Sequence, residues 1–203
     1  MIILNYSKLI DPLLKDVRVF TLEFAEIKKG DRVLDICCGT GDQAFYYARK
    51  GAIVTGIDLN PKMIETAETK KQKQGVSDIY FKVADAAALP FKDHIFDIAS
   101  ISLVLHEIEK GKRDTVISEM KRVVKKDGYL IFIDFKVPFV SNAASYLIKA
   151  AEYLAGKNNR ENFKSYIEEG GLPVLFERNK LKLEKIAYFK DGLLTIIKTK
   201  NTL

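Results

Sequence analysis

The sequence predicts an α/β protein with a doubly wound, mostly parallel sheet that ends in an antiparallel hairpin. Apolar runs alternate with segments of helical period over residues 30–135, which is the pattern of parallel strands joined by crossover helices. Five strands are expected in this part. Asp191-Gly192 then separates two strand-like runs at residues 182–190 and 193–200, which is a strong signal for a hairpin.

The first unit combines an apolar run at residues 33–36, a turn with Gly39 and Gly41, and a helical segment at residues 44–48. Glycine takes backbone conformations that are closed to other residues. The first N–H groups of a helix have no partner inside the helix and can bind a ligand. This strand, turn and helix start therefore predict a loop that binds a nucleotide-type cofactor.

Two cofactor classes use such a loop. Residues 39–44 satisfy the GxGxxG/A fingerprint of dinucleotide sites, which bind a pyrophosphate at the helix start. Asp35 and Asp42 place two carboxylates where a pyrophosphate would be repelled. The ammonium and sulfonium of S-adenosylmethionine suit these acids better than NAD does.

The run Val-Leu-Asp-Ile-Cys-Cys-Gly-Thr-Gly-Asp at residues 33–42 resembles the first motif of class I S-adenosylmethionine-dependent methyltransferases. It is similar to that of the quinone-biosynthesis C-methyltransferases and their small-molecule relatives, with Cys37 in place of the usual first glycine. The resemblance covers residues 30–200 and implies a seven-stranded Rossmann-like sheet. It also implies that Asp35, Cys37, Gly39 and Gly41 border the methionine end of the cofactor, with S-adenosylhomocysteine as product.

The second strand is predicted at residues 52–59 and ends in Asp58. This acid follows Asp35 by 23 residues, close to the spacing at which a strand-end carboxylate binds ribose hydroxyls. The alternative is that Asp58 caps the next helix. Asn60 is the better N-cap, with Pro61 at the first helical position of a helix that ends before Gly75.

The third strand is predicted at residues 79–85. At its end, Asp85 and Ala86 resemble the family's adenine clamp, in which a carboxylate and a backbone N–H bind the base. Leu59 and Met63 would supply apolar walls for the adenine, although ordinary core positions have the same spacing. His94, in a charged turn, is expected at the surface.

The fourth strand and the loop that leaves it span residues 96–107. Ligands of open α/β sheets bind outside the carboxyl ends of the strands, so Ile101, Ser102 and His106 should border the reacting methyl group. A neutral His106 can accept a proton from an acceptor, or its ring can simply hold the loop in place. The Asn/Asp-Pro-Pro-Tyr/Phe motif of N-methylating relatives is absent.

The remaining elements are a helix at residues 113–126, a fifth strand at 129–135, an apolar helix at 138–156 and a short helix at 161–169. Residues 2–27 predict a helical segment that starts or bends at Pro12. In the family such a segment often closes over the cofactor, so Tyr6 is either a lid contact or a surface residue. We expect one domain over residues 1–203, with a cover (1–29), a cofactor-binding core (30–135) and a substrate side (136–203).

Composition limits the class of protein. The chain has 203 residues, 47% hydrophobic and 30% charged, with no apolar run of membrane-spanning length, so a cytoplasmic protein is expected. Two adjacent cysteines and two distant histidines support neither a disulfide framework nor a metal site. The net charge of +6 is scattered, which favours solvated helix faces over a nucleic-acid surface. The oligomeric state is left open.

The predicted function is transfer of the sulfonium methyl of S-adenosylmethionine to a small-molecule or lipid-like acceptor. A lipid-like acceptor would allow peripheral contact with a membrane surface. Two alternatives stay open. One is an NAD(P)-dependent oxidoreductase, which the glycine pattern permits, and the other is a non-catalytic module that binds S-adenosylmethionine.

Overall fold

The computed structural model describes residues 6–139 and 156–202. One sheet of seven strands forms its centre. In chain order the elements are α1 (Tyr6–Ala25), β1 (Arg32–Ile36), α2 (Asp42–Arg49), β2 (Ile53–Asp58), α3 (Pro61–Gln74), β3 (Ile79–Val83), β4 (Phe96–Ser102), α4 (Lys110–Val123), β5 (Val124–Phe135), α5 (Lys157–Glu169), α6 (Gly171–Arg178), β6 (Leu183–Phe189) and β7 (Leu194–Lys200).

The strand order is β3-β2-β1-β4-β5-β7-β6. Strands β1 to β5 pair in parallel, whereas β7 runs antiparallel to both β5 and β6. The predicted mostly parallel, seven-stranded sheet with a terminal hairpin is therefore confirmed. The strand order reverses between β1 and β4, which is the point where open α/β sheets bind ligands.

The central strands are buried because helices lie beside them. Val33, Leu34 and Ile36 of β1 are fully buried, and so are Leu130 and Phe132 of β5. Such strands read in the sequence as continuous apolar runs rather than as alternating ones. Burial of these strands thus explains why their positions could be recognised in the sequence as apolar runs.

Local signals at α3 are confirmed. The Asn60 side chain accepts a hydrogen bond from Lys62 N–H at 3.0 Å, and Pro61 stands at the first helical position. Gly75 ends the helix with φ of 63°. His94 is exposed, as expected for a turn.

Three helix boundaries differ from the predictions. The helix expected at residues 113–126 is α4, which ends at Val123, because the chain passes directly into β5. There Gly128 lies so close to β4 that a Cβ would be 2.6 Å from the carbonyl oxygen of Asp97. Helix α5 begins at Lys157 rather than at residue 161. Helix α1 begins at Tyr6, well before Pro12.

Helix α6 was not predicted. Gly170 ends α5 in the left-handed conformation, with φ of 98°, and α6 starts at the next residue. Pro173 is tolerated in the first turn because no N–H is needed there.

The N-terminal helix covers one side of the sheet. Phe20 of α1 packs 5.5 Å from the ring of Phe189 in β6, and Gln43 of α2 donates to the Arg18 carbonyl at 3.5 Å. The Tyr6 side chain and most of the predicted apolar helix, residues 140–155, lie outside the described residues. In the two described ranges, no helix combines the length and the apolar character that a bilayer crossing requires.

Candidate functional site

The loop between β1 and α2 is held against β2 by backbone hydrogen bonds. Cys38 N–H donates to the Ile57 carbonyl at 2.8 Å, and Gly41 N–H donates to the Cys38 carbonyl at 2.9 Å. The backbone φ angles of Cys37, Gly39 and Gly41 are 54°, 53° and 80°. The predicted glycine turn is present, and it includes one left-handed residue, Cys37, that carries a side chain.

The two glycines of the loop have different surroundings. A Cβ built at Gly41 would lie 2.5 Å from the ring of Phe81, so packing excludes a side chain there. A Cβ built at Gly39 would meet nothing within 4 Å. Gly39 therefore leaves open space over the turn, where a ligand can reach the backbone.

Asp35 is buried at the end of β1 and is only partly satisfied. Its Oδ1 accepts from the Ser100 hydroxyl at 3.1 Å, whereas Oδ2 has no hydrogen-bond partner in the described part of the chain. Burial raises the pKa of the Asp35 carboxyl to about 7, opposed by the Ser100 hydrogen bond and the nearby charge of Arg18. This acid is therefore the unsatisfied polar group of the cofactor loop.

Asp42 has a different environment from the one that the sequence suggested. Its Oδ1 lies 2.8 Å from Lys70 Nζ, and Arg18 lies 3.8 Å from its Oδ2. Lys70 Nζ also donates to the Thr40 hydroxyl at 2.7 Å. The interpretation of Asp42 as a carboxylate available to a cationic ligand is therefore wrong, because cations from α1 and α3 compensate its charge.

Asp58 connects β2 to the glycine turn. Its Oδ2 accepts from Gly39 N–H at 2.9 Å and its Oδ1 from Asn60 N–H at 2.8 Å. The carboxylate is thus not free of protein partners, although each oxygen can accept a second hydrogen bond. Beside it, Leu59 is 65% and Met63 39% exposed, so neither is an ordinary core residue.

Asp85 follows β3 at the same edge of the sheet. It is exposed, and its Oδ1 accepts from Ala87 N–H at 2.8 Å, while Ala86 is buried. Because β2 and β3 are parallel neighbours, with Asp58 opposite Val83, Asp58 at the end of β2 and Asp85 just after β3 lie at adjacent strand ends.

The carboxyl end of β4 borders the glycine turn from the other side. Ile101 is 1% exposed and belongs to the hydrophobic core. Ser102 is half-buried. Leu103, with φ of 55°, is a second left-handed residue with a side chain. Left-handed residues that are not glycine cost free energy and cluster at functional sites.

His106 forms a buried pair with Asp134, the second-last residue of β5. The Nδ1 atom of His106 lies 2.7 Å from Asp134 Oδ1, and the His106 backbone N–H donates to Oδ2 at 3.2 Å. Asp134 also accepts from Phe135 N–H at 2.7 Å. The exposed fractions of His106 and Asp134 are 2% and 0%. The pair therefore joins the ends of β4 and β5.

Aromatic rings surround the imidazole. Ring centroids of Phe135, Phe163 and Tyr166 lie 4.7, 5.7 and 6.2 Å from that of His106. Phe139 packs against Phe135 at 5.6 Å and against Phe163 at 5.8 Å. The end of the sheet near His106 is consequently apolar and aromatic, with the imidazole and Asp134 as its polar part.

Arg113 of α4 fastens the loop that carries His106 to helix α5. Its Nε donates to the carbonyls of Leu105 and Ile108, both at 3.0 Å. The other end of the guanidinium contacts Glu169 at 2.6 Å and the Ser165 hydroxyl at 2.8 Å. The Arg113 side chain is fully buried, so this network is part of the interior.

Sequence reasoning did not assign Arg18, Arg113 or Asp134 to the site. Asp134 has a recognisable signal, an acid near the carboxyl end of an otherwise apolar strand. Arg18 and Arg113 lie on amphipathic helices, where a basic residue usually marks a solvated face. No local pattern distinguishes these two arginines from the exposed ones.

The chain resembles known proteins over most of its length. Residues 34–132 match a family model described as a methyltransferase domain. A ubiquinone/menaquinone biosynthesis C-methyltransferase of Pseudomonas putida is 35% identical over 155 residues, which is 72% of this chain and 59% of that protein. A demethylmenaquinone methyltransferase of Bacillus subtilis is 29% identical over 189 residues, covering 85% of this chain and 80% of that protein.

Solved structures share the fold. A structure described as an S-adenosylmethionine-dependent methyltransferase from Aquifex aeolicus superposes with a TM-score of 0.70 at 20% identity, covering 90% of this chain and 88% of that one. The aligned part of this chain thus spans 59% of the length of the Pseudomonas relative. The fold of this chain matches the Aquifex structure over 90% of its residues.

Proposed function

Because this chain belongs to the class I S-adenosylmethionine-dependent methyltransferases, we propose that it transfers a methyl group from S-adenosylmethionine to a small-molecule or lipid-like acceptor. When bound, the cofactor supplies a methyl group on a sulfonium, which is already a good leaving group. The protein then has to bind the cofactor, align the acceptor and exclude water.

The observation that carries the proposal is the unsatisfied Oδ2 of Asp35 below a turn that is open at Gly39. A buried acceptor without a donor costs free energy, and a ligand ammonium would supply the missing donor. The open space at Gly39 lets a ligand approach the backbone. Arg18, which approaches Asp42 and opposes the raised pKa of Asp35, is the cation that we assign to the cofactor carboxylate.

The remaining cofactor contacts are assigned along the strand ends. Asp58 binds the ribose hydroxyls through its unused lone pairs, while its backbone donors keep it oriented. Exposed Leu59 and Met63 contact the faces of the adenine. Asp85 and Ala86 bind its edge. Cys37, Gly39 and Gly41 contact the methionine end of the cofactor. Ser102 and the backbone of Ile101 lie next to the transferred methyl group.

We propose a quinone-type ring in its reduced form as the acceptor. The names of the Pseudomonas putida and Bacillus subtilis relatives, which refer to ubiquinone and menaquinone, support this substrate class. The aromatic side chains near His106 suit a planar ring, with residues 136–203 on the acceptor side and residues 1–29 as the cover. The protein works in the cytoplasm and contacts a membrane surface if the acceptor carries a lipid tail.

Calorimetry with S-adenosylhomocysteine and NADH tests the cofactor. We expect the wild type to bind S-adenosylhomocysteine and Asp58→Ala to bind it more weakly by about 1–3 kcal/mol. Asp78→Ala is the matched control, because Asp78 is exposed and lies at the amino end of β3, away from the strand ends that carry the site. Binding of NADH alone would overturn the proposal and favour an oxidoreductase.

Transfer of a labelled methyl group to demethylmenaquinol with a short side chain tests the activity. Incorporation of label supports a methyltransferase that acts on quinols. If S-adenosylhomocysteine binds but neither demethylmenaquinol nor any component of a cell extract accepts the label, the chain is a non-catalytic binding module. If label enters only another extract component, the methyltransferase assignment stands and the quinol is wrong.

A further inference from the structure

We propose that Asp134 is the positioning residue for His106, holding the imidazole in the tautomer whose Nε2 accepts a proton from a hydroxyl of the methyl acceptor. The inference rests on the methyl-transfer function proposed above. It extends the site to a buried acid on β5, 28 residues from His106 along the chain.

Asp134 contacts both the ring and the backbone of His106. Its Oδ1 lies 2.7 Å from Nδ1, and its Oδ2 accepts from the His106 N–H at 3.2 Å. A third donor, Phe135 N–H, approaches Oδ1 at 2.7 Å. A fully buried carboxylate requires such donors, and an ionised one offers only acceptors. Nδ1 of a neutral His106 must therefore carry the proton, which leaves the lone pair on Nε2.

A second acid lies near the other ring nitrogen of His106. Nε2 lies 3.8 Å from an Oε1 of Glu107, a side chain that is 43% exposed. The opposite edge, with Nδ1, faces the buried Asp134. Among the described residues, Tyr166 of α5 and Arg113 of α4 also lie near the pair, with the Tyr166 ring 6.2 Å from that of His106 and the Arg113 guanidinium above the Tyr166 ring.

This orientation suits an acceptor that must lose a hydroxyl proton, such as a hydroquinone or another phenol. The Nε2 lone pair takes the O–H proton, and the electron pair of that bond moves through the ring to the adjacent carbon. That carbon forms a bond to the methyl group while the carbon–sulfur bond breaks toward sulfur, which leaves a neutral thioether. Loss of the ring C–H proton then restores aromaticity, and the ring oxygen takes back the proton that Nε2 had accepted, so one proton is released overall and His106 is neutral again.

The tautomer can be measured without any substrate. The chain contains two histidines, His94 and His106, so His94→Gln assigns the signals in a long-range proton–nitrogen NMR spectrum. We expect Nδ1 of His106 protonated and Nε2 unprotonated in the wild type, and loss of this preference in Asp134→Asn, whose amide can also donate. A proton on Nε2 in the wild type, or an imidazolium throughout the pH range of activity, would overturn the proposal.

Kinetics with short-chain demethylmenaquinol separate positioning from support of the fold. We expect Asp134→Asn to lower kcat by about 10²–10⁴-fold, the usual contribution of acid–base catalysis, with little change in KM. Asp134→Glu should recover part of the rate, and His94→Gln, at an exposed turn, should keep all of it. An unchanged kcat in Asp134→Asn refutes the role.

Binding of S-adenosylhomocysteine distinguishes the two proposals. If the wild type does not bind it, the methyl-transfer function fails, and the proton acceptance by His106 fails with it. If Asp134→Asn binds it as tightly as the wild type and still loses kcat, the loss lies in acceptor chemistry, as we infer. A loss of binding equal to the loss of rate would assign Asp134 a purely structural role and contradict the inference.

Discussion

The ring of Phe81 lies against Gly41 at a distance that only glycine allows. A Cβ at Gly41 would be 2.5 Å from Cζ of Phe81, and one at Gly56 in β2 would be 2.7 Å from Cδ1 of the same ring. Phe81 also packs edge-on against Phe45 of α2. One aromatic side chain on β3 thus fixes both the cofactor turn and the helix that follows it.

We therefore expect Gly41→Ala to lower the free energy of unfolding by about 2–4 kcal/mol, from overpacking and from the left-handed φ of 80°. Urea denaturation measures this change. Gly75→Ala is the control, since Gly75 is also left-handed but has open space around it, and it should cost about 1 kcal/mol. Equal losses in the two variants would show that Phe81 does not constrain the turn.

Asp35 should make stability depend on pH in the direction opposite to an ordinary paired acid. Its pKa is raised to about 7 by burial, so the folded state holds a proton that the unfolded state has released above pH 4. Stability is accordingly lost as pH rises from about 4 to 7. Asp35→Asn should match the wild type near pH 4 and exceed it by about 1–4 kcal/mol at pH 8.

Urea midpoints measured across this pH range test the prediction. Asp127→Asn is the control of opposite sign, because Lys200 lowers the pKa of the exposed Asp127 carboxyl. The Asp35→Asn variant should also lose affinity for S-adenosylhomocysteine. A stability difference between wild type and Asp35→Asn that stays constant from pH 4 to pH 8 would contradict the raised pKa.

Arg18 offers a test of how the amino-acid end of the cofactor is bound. Arg18→Ala should weaken S-adenosylhomocysteine binding by about 1–3 kcal/mol, because the cofactor carboxylate loses a charged donor. It should leave the affinity for 5′-methylthioadenosine unchanged, since that ligand has no carboxylate. Arg49→Ala, at an exposed arginine on α2, serves as the control. If both ligands weaken equally, Arg18 supports the loop rather than the carboxylate.

Arg113 should be among the most sensitive positions of the chain. Replacing it with methionine leaves two loop carbonyls without this donor and removes the buried partner of Glu169, and we expect a loss of about 3–5 kcal/mol in the free energy of unfolding. Arg178→Met removes a half-exposed partner of the same glutamate and should cost about 0–1 kcal/mol. Thermal and urea unfolding of the two variants provide the comparison, and similar losses would refute a special role for Arg113.

Local patterns in the sequence were sufficient for most of the fold. The apolar runs, the glycine turn, the Asn60 cap and the Asp191-Gly192 hairpin each depend on neighbouring residues, so the strands, α3 and the cofactor loop could be predicted. The errors at α4 and α6 arose where two elements join without a loop. Helix α4 passes directly into β5 and α5 into α6, so no loop marks either boundary in the sequence.

Tertiary structure decided which charges meet. Lys70 compensates Asp42 across 28 residues, Asp134 reaches His106 across 28, and Arg113 pairs with Glu169 across 56. The sequence determined that acids lie at or near the carboxyl ends of β1, β2 and β3. It did not determine which of them keeps an unsatisfied oxygen, because the energy of a buried charge depends on partners that only the packed sheet brings within hydrogen-bond distance.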